Sequence, residues 1–458
     1  MIALDGLPNR PWAVLGLGAS GRAAAVALLA AGRTVWAWDD SEGARAVAAA
    51  AGIPLVDLAG KDLRESTALV LSPGIPHTHP APHPVAAKAR AAGVEIIGDV
   101  ELLFRAHPRA GYVGITGTNG KSTTTALIGH IFASGGWDVR VGGNLGPPVL
   151  GFEPLDTKTI CVLEMSSYQL ELTPSLVFDM AVLLNISPDH LGRHGGIDGY
   201  IAAKRRIFAD APAGATAIVG VDDEHCRALC TELSQGARHR VLVISGHRRV
   251  AGGVFVSDGL LWDAISGEPK PILDLRQARA LPGEHNGQNA AAAYAVASAM
   301  GVPVHTASEA ILNFPGLAHR QERIAVVDQV TYVNDSKATN GDAAARALAS
   351  YDRIYWIAGG RPKEDGLSAT LPWLARVRCV FLIGEAEAAF ARELDGKVPS
   401  VCCGTLAAAF AAAREAAAAD MANDPVVLLS PACASFDQFR SFEARGDAFR
   451  AMVREIAR

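Results

Sequence analysis

Residues 112–126 read YVGITGTNGKSTTTA, and this stretch narrows the available folds more than any other in the chain. A short apolar run from Tyr112 to Ile115 enters a turn of glycine, threonine and asparagine, and Gly120-Lys121-Ser122 then opens a helix. The common phosphate-loop pattern, G-x-x-x-x-G-K-[ST], misses by one position: Ile115 stands where the first glycine belongs, with Gly114 and Gly117 on either side. The physics survives the mismatch. Glycines let successive backbone N–H groups converge on an anion, and the helix N-terminus adds partial positive charge. Lys121 reaches the outer phosphates and Ser122 is placed to ligate Mg²⁺. The competing interpretation is a glycine-rich turn that only starts a helix, and it leaves the Lys-Ser pair without a task.

The same alternation of apolar strand and helix runs through the 458 residues. The first hundred residues give PWAVLGLG, GRAAAVALLAAG, TVWAWDD and ALVLSPGI, which predicts a parallel sheet covered by helices. A second α/β segment starts near Ala110 and continues through TICVLEMSS, DMAVLLNIS, TAIVGV and RVLVIS. From about Arg248 to Leu281 the chain turns polar and turn-rich, as a β meander would, and PGEHNGQNAAAAYAVASAMGV then predicts a helix. A third unit begins around Leu317, with AVVDQVTYVNDS, RIYWIAGG, CVFLIGE and PVVLLSPACASFD as strands. The expected boundaries are 1–107, 108–316 and 317–458, since so long a chain exceeds one ordinary core.

Composition excludes several classes. A net charge of −5 without a Lys/Arg run argues against nucleic acid or an anionic membrane as the main partner. MIALDGLPNR has Asp5 and no apolar centre, unlike a secretory leader. The Ala-rich stretch from Ala290 to Val304 is too short for a membrane span. Seven cysteines without C-x-x-C fit a reducing, cytoplasmic setting, with adjacent Cys402 and Cys403 packed as small hydrophobes. Monomer is the default expectation.

Other strand ends also carry polar turns. Gly16-Leu17-Gly18-Ala19-Ser20-Gly21 matches G-x-G-x-x-G, with Asp39-Asp40 about twenty residues on. Such a turn accepts a pyrophosphate from NAD or from any other nucleotide, or serves only close helix–strand packing. Ser72-Pro73-Gly74-Ile75 closes a neighbouring strand. TICVLE ends on Glu164, where a Mg²⁺-holding carboxylate belongs beside a triphosphate. AVLLNIS leads to Pro188-Asp189-His190, with His190 either a ligand or a surface residue. Lys204, on a predicted helix, reads on its own as a solvated charge. In the third unit, NDSKATN (334–340), GGRPKEDG (359–366) and SPACASFDQF (430–439) form three polar turns at one crevice. Cys433 invites a nucleophile reading, but Ser435 and backbone N–H groups suffice to bind a carboxylate.

Taken together these stretches resemble the ATP-dependent Mur ligases over essentially the whole chain, and Gly114 to Ser122 fits their loop, G-x-x-G-T-N-G-K-[ST]. The resemblance implies three domains: a Rossmann-like N-terminal domain for the UDP moiety of the substrate, a P-loop-type ATPase domain with a mainly parallel sheet, and a Rossmann-like C-terminal domain for the amino acid. It implies the branch that joins D-glutamate to UDP-N-acetylmuramoyl-L-alanine. By position, Ser20, Asp39, Asp40 and Ser41 face the nucleotide and Gly74 the sugar-pyrophosphate. Gly117, Thr118, Asn119, Gly120, Lys121, Ser122 and Thr123 hold the ATP phosphates. Ser122 and Glu164 hold one Mg²⁺; His190 and a carbamylated Lys204 hold a second. Asn144 lies near the reacting carboxylate, Asn286 and Asn289 near adenine, and Arg320 and Asp335 close over the nucleotide. D-glutamate falls to Thr339, Lys363, Ser435 and Phe442, with Lys337 nearby.

Two positions depart from the family pattern: Arg361-Pro362 stand where Asp-Gly often precedes the lysine, and Asp40 stands where a hydroxyl residue is common. The alternatives are a sister ligase or a folylpolyglutamate synthetase, which the SPACASFDQF ending and the lack of a D-N-P-R turn disfavour. From another class, an NAD(P)-dependent oxidoreductase uses only GLGASG and leaves 114–122 idle. A non-catalytic nucleotide-binding regulator leaves the residues beyond the loop idle.

Overall fold

The computed structural model describes residues 2–236, 238–362, 366–420 and 424–457. Contacts divide the chain into two compact units, Met1–Asp274 with Gly287–Ile311, and Leu275–Asn286 with Leu312–Arg458. The first unit contains two sheets. The four strands β1 (Trp12–Leu15), β2 (Val35–Trp38), β3 (Leu69–Leu71) and β4 (Ile96–Ile97) are all parallel, in the order β2-β1-β3-β4.

The second sheet has nine strands: β5 (Gly111–Thr116), β6 (Val139–Gly143), β7 (Ile160–Glu164), β8 (Met180–Leu183), β9 (Ala215–Gly220), β10 (His239–Ser245), β11 (Gly253–Ser257), β12 (Leu260–Asp263) and β13 (Lys270–Asp274), ordered β13-β12-β11-β10-β9-β8-β5-β7-β6. Pairing is parallel from β6 across to β11 and antiparallel through β12 and β13, which are the anticipated meander. Strands β7, β8 and β9 are buried along their whole length. Burial on both faces requires uninterrupted apolar runs, and ICVL, MAVL and AIV supply them. Parallel strands deliver their carboxyl ends to one edge, so the turns after β5, β7 and β8 meet there.

The second unit carries six strands: β14 (Glu322–Val327), β15 (Val330–Asn334), β16 (Ile354–Gly359), β17 (Val377–Ile383), β18 (Ser400–Gly404) and β19 (Val426–Leu429), ordered β14-β15-β19-β16-β17-β18. Only the β14–β15 hairpin is antiparallel. One face packs Trp356, Leu348 and Phe390 and the other Tyr332, Phe381, Phe410 and Phe449. The Trp356 indole is buried and donates from Nε1 to the Ser430 carbonyl at 2.7 Å.

Several strands escape a sequence-based search. AVVDQVTYV is two strands, not one, because Asp328 and Gln329 take positive φ (50° and 64°), the backbone of a two-residue hairpin without its usual glycine. β4, β6 and β18 are short or only partly buried and lack the apolar run that marks the central strands. Cys402 on β18 is exposed, so of the adjacent cysteines only Cys403 is partly buried.

The first glycine-rich turn shows how tightly β1 meets its helix. Gly16 has φ +89°, and a Cβ on Gly21 would come 1.8 Å from the Gly16 carbonyl oxygen. A Cβ on Gly18 would meet nothing within 4 Å, leaving that backbone open to a ligand. Gly21→Ala is therefore expected to cost about 1–3 kcal/mol by forcing helix and strand apart, measured as a fall in unfolding midpoint. A variant as stable as wild type would show that the turn relaxes freely.

Candidate functional site

The carboxyl end of β5 passes into the 117–120 turn, and Gly120 (φ 84°, left-handed) opens the helix Lys121–Ser134. The turn is held from behind by Asn185, which follows β8. Asn119 N–H donates to Asn185 Oδ1 at 2.9 Å, and Asn185 Nδ2 donates to the Asn119 carbonyl at 3.2 Å. Thr118 N–H adds a bond to the Asn185 carbonyl at 2.8 Å. Asn185 Nδ2 also reaches Gln288 Oε1, and Gln288 Nε2 reaches Asp222 Oδ2, each at 2.8 Å. Asn289, one residue on, accepts from Thr124 Oγ1 at 3.2 Å, and a Cβ on Gly120 would lie 2.2 Å from its Oδ1. Asn185, Gln288 and Asp222 were not singled out from the sequence; an amide at a strand's carboxyl end was the available signal. Ser122 is buried, and Thr118, Asn119 and Thr123 are half-buried.

Two lysines converge on this turn. Lys121 Nζ donates to the Gly117 and Thr118 carbonyls at 3.0 and 2.8 Å. Lys204 Nζ donates to the same Gly117 carbonyl at 2.7 Å and lies 4.5 Å from the Tyr200 ring centre. Lys204 is 1 % exposed, so it is no solvated charge. Burial first, and the neighbouring Lys121 second, hold its pKa well below the ordinary lysine range.

Glu164, at the end of β7, is 2 % exposed. Its Oε1 accepts from Asn144 Nδ2 at 2.7 Å, and Asn144 N–H bonds the Glu164 carbonyl at 2.8 Å. Glu164 Oε2 is buried without a hydrogen-bond partner, an open oxygen lone pair suited to a hard divalent cation. His190 takes φ 52° and remains half-exposed, with its ring 5.3 Å from that of Tyr168. Among the described residues no three His, Cys, Asp or Glu side chains gather into a chelating group.

Beside this edge lies a network the sequence did not disclose. Ser167 Oγ is 2.9 Å from His194 Nε2, and His194 Nδ1 is 3.0 Å from Glu171 Oε1. The order is that of a hydrolytic triad, but Ser167 and His194 are buried, so the chain acts as a strut. Burial, aided by Arg193, keeps His194 neutral, with its pKa pushed down to about 4. Arg193 lies over Tyr168 and donates to the Ile75 carbonyl at 2.8 Å, fastening the Ser72–Ile75 turn, Gly74 included, to this strut.

In the first turn, Asp39 is structural as well as polar: Oδ2 accepts from Leu17 N–H at 2.6 Å and Oδ1 from Ser41 N–H at 2.8 Å. Asp40 pairs with His83 at 2.9 Å, Ser41 caps the helix Glu42–Ala50, and Ser20 lies near the buried Asp99.

In the second unit, buried Asp335 accepts from Ser430 Oγ at 2.8 Å and from Gln321 N–H at 3.1 Å, tying the Arg320 segment to two strand ends. Lys337 Nζ sits 3.9 Å from the centre of the Phe442 ring, and Thr339 N–H bonds the Lys337 carbonyl. Ser435 is buried. Arg361 pairs its backbone with Ala434 and its guanidinium with Glu385, which fixes the path of the Arg361-Pro362 turn up to the last described residue. Lys363 lies outside the described residues. Asn286 bonds the Pro282 carbonyl at 2.6 Å.

Comparison with known proteins gives a consistent result. Residues 115–297 match the Mur ligase middle domain, and residues 319–433 the Mur ligase glutamate ligase domain. A UDP-N-acetylmuramoylalanine–D-glutamate ligase of Phenylobacterium zucineum is 51% identical over 463 residues, covering 100% of this chain and 98% of its own. The protein of that name from Caulobacter vibrioides strain NA1000 is 52% identical over 459 residues, covering 99% and 97%. A solved UDP-N-acetylmuramate-alanine ligase of Thermotoga maritima shares the fold with a TM-score of 0.61 at 16% identity, over 97% of this chain and 99% of that one.

Burial raises the Asp335 pKa from 3.8 to about 7. The folded state then holds its proton more tightly than the unfolded state, so this contribution to stability is full below 3.8 and is lost as pH rises through about 7. The wild-type melting temperature should therefore fall relative to Asp335→Asn across that window, as followed by calorimetry; parallel curves would refute the shift.

Proposed function

The chain belongs to the Mur ligase family and is an ATP-dependent ligase that adds D-glutamate in peptidoglycan synthesis, and we propose that the strand-end turns described above carry that reaction. The observation that supports this assignment best is the pair of lysines on the Gly117 carbonyl, beside the buried carboxylate of Glu164. The first substrate is UDP-N-acetylmuramoyl-L-alanine. Its alanyl carboxylate attacks the γ-phosphate of ATP to give an acyl phosphate and ADP. The amine of D-glutamate then attacks the activated carbonyl, an amide forms and phosphate leaves.

The difficulty is bringing two anions together. The N–H groups of 117–123 cradle the phosphates, and Lys121 swings from its loop carbonyls to the transferring group, offsetting charge without needing to donate a proton. Asn144, already on Glu164, is within the same cluster to orient the alanyl carboxylate. Mg²⁺, when bound, neutralises phosphate and carboxylate charge. Ser122 and Glu164 would hold one ion, and His190 with a carbamylated Lys204 the second. The lowered pKa of Lys204 supports the carbamate, since only a neutral amine adds CO₂. A site with few carboxylates suits Mg²⁺, which keeps waters and phosphate oxygens as ligands.

Residues 1–107 would bind the UDP moiety through Asp39, Asp40, Ser41, Ser20 and Gly74, and residues 108–316 would hold ATP, with Asn286 and Asn289 at adenine. Residues 317–458 would supply Arg320 and Asp335 to the nucleotide and Lys337, Thr339, Lys363, Ser435 and Phe442 to D-glutamate. Residence in the cytoplasm as a monomer completes the proposal. The cytoplasmic part is supported by cysteine usage, seven residues without a C-x-x-C pair. Among the described residues no helix is long and apolar enough to cross a membrane.

Phosphate release with UDP-N-acetylmuramoyl-L-alanine and a panel of amino acids tests the assignment: D-glutamate should be strongly preferred, and preference for another amino acid would move the chain to a sister activity. Lys121→Ala should lower ADP formation about 100-fold or more while leaving the melting temperature close to wild type; substantial residual turnover would exclude its phosphate role. Lys204→Ala should lose activity that added short carboxylic acids partly restore by supplying the missing oxygen. A loss that no acid repairs would remove the support for a carbamate.

A further inference from the structure

Arg445 is one of the largest fully buried side chains, with 1 % exposure, and it was not singled out by any motif. It stands in the first turns of the helix Phe442–Ile456. Nε donates to Ser336 Oγ and Nη2 to the Ser336 carbonyl, both at 2.9 Å. Nη2 also reaches the Cys433 carbonyl at 3.1 Å, and Nη1 the Ala434 carbonyl at 3.4 Å. A Cβ on Gly360 would come within 3.2 Å of Nη1. One guanidinium thus bonds two polar turns of the second unit, 334–340 and 430–439, and lies beside Gly360 of the third.

The partners are unusual for a buried charge. All four hydrogen bonds go to neutral oxygens, and no carboxylate of the described residues forms an ion pair with Arg445. A buried guanidinium is normally matched by a carboxylate, because desolvating it alone is costly. Burial lowers its pKa only to about 10, so the group stays cationic at neutral pH. Asp437 is the carboxylate whose field it feels, and that side chain is engaged by the Glu385 N–H.

We infer that Arg445 is a positioning and specificity-determining residue for the amino acid: it ties the 334–340 turn to the 430–439 turn, and its charge, which no carboxylate of the described residues pairs, favours a dicarboxylate there. The inference rests on the assignment of D-glutamate above. It explains why the fork of an arginine is used, since four acceptors on two segments require several donors in a fixed plane. It also explains why the charge has no ion-pair partner among the described residues: the field remains available to the incoming acid.

The test uses the full-length enzyme, with KM measured separately for D-glutamate, ATP and UDP-N-acetylmuramoyl-L-alanine. Arg445→Gln should raise KM for D-glutamate about tenfold or more, with the other two KM values within about twofold, and Arg445→Lys, which keeps the charge but loses the fork, should raise it by clearly less. Equal rises in all three KM values, or an unchanged KM for D-glutamate in folded Arg445→Gln, would overturn the inference. Should Arg445→Gln not fold, Arg445→Lys decides. With charge kept and fork lost, a KM for D-glutamate near wild type supports a charge role, and a rise of about tenfold opposes it. A wild-type enzyme that does not use D-glutamate would instead sink the functional assignment on which this rests.

Discussion

Two lysine side chains share the Gly117 carbonyl, and much of the first unit follows from that crowding. Lys121 and Lys204 each donate to it at about hydrogen-bonding distance, 3.0 and 2.7 Å. Like charges so placed in a desolvated edge repel, and burial adds to the penalty on Lys204. An anion entering the turn would relieve both costs. Under the proposed function the N–H groups of the turn meet negative charge without rearranging, while Lys121 leaves its loop carbonyls to join them.

Such preorganisation needs a rigid frame. The parallel pairing of β5 with β7 and β8 sets the ends of three strands side by side. Glu164 and Asn185 then sit at fixed distances from the turn because they terminate strands whose apolar bodies are locked in the core. The amides of Asn185 and Gln288 carry the rigidity outward to Asp222, which is itself held by Ser245 Oγ and Gly246 N–H at 2.6 and 2.8 Å. Loops usually carry function at the expense of order; here side-chain amides substitute for the missing secondary structure.

The legible parts of the sequence were those with a local signature. Gly120-Lys121-Ser122 announces itself because strand, turn and helix start are contiguous, and the buried strands announce themselves by uninterrupted apolar runs. The fold class, the meander and the glycine-rich turn with its helix start followed from such signals. Lys204 is different: nothing within GYIAAKRRIF distinguishes a buried lysine from a solvated one, and only family resemblance pointed to it. Asn185, His194 and Arg445 were missed for a related reason. Their partners lie far along the chain: Gln288 for the first, Glu171 for the second and Ser336 for the third. Periodicity reports which face of an element is apolar, and is silent on which distant turn a polar side chain will meet. The β14–β15 hairpin was missed because Asp328-Gln329 adopts a glycine-like backbone without a glycine.

The two units solve opposite electrostatic problems with similar means. At the glycine-rich turn the protein brings two lysines to one carbonyl and keeps a carboxylate oxygen of Glu164 without a hydrogen-bond partner. Around Arg445 it buries a cation whose hydrogen bonds, among the described residues, all go to neutral oxygens. Burial is costly in both places unless a charged ligand completes the set. That shared feature accounts for the buried polar side chains gathering at strand carboxyl ends rather than in the sheet bodies. Folding energy comes from the apolar strands and their helices, and it offsets the cost of burying these polar ends.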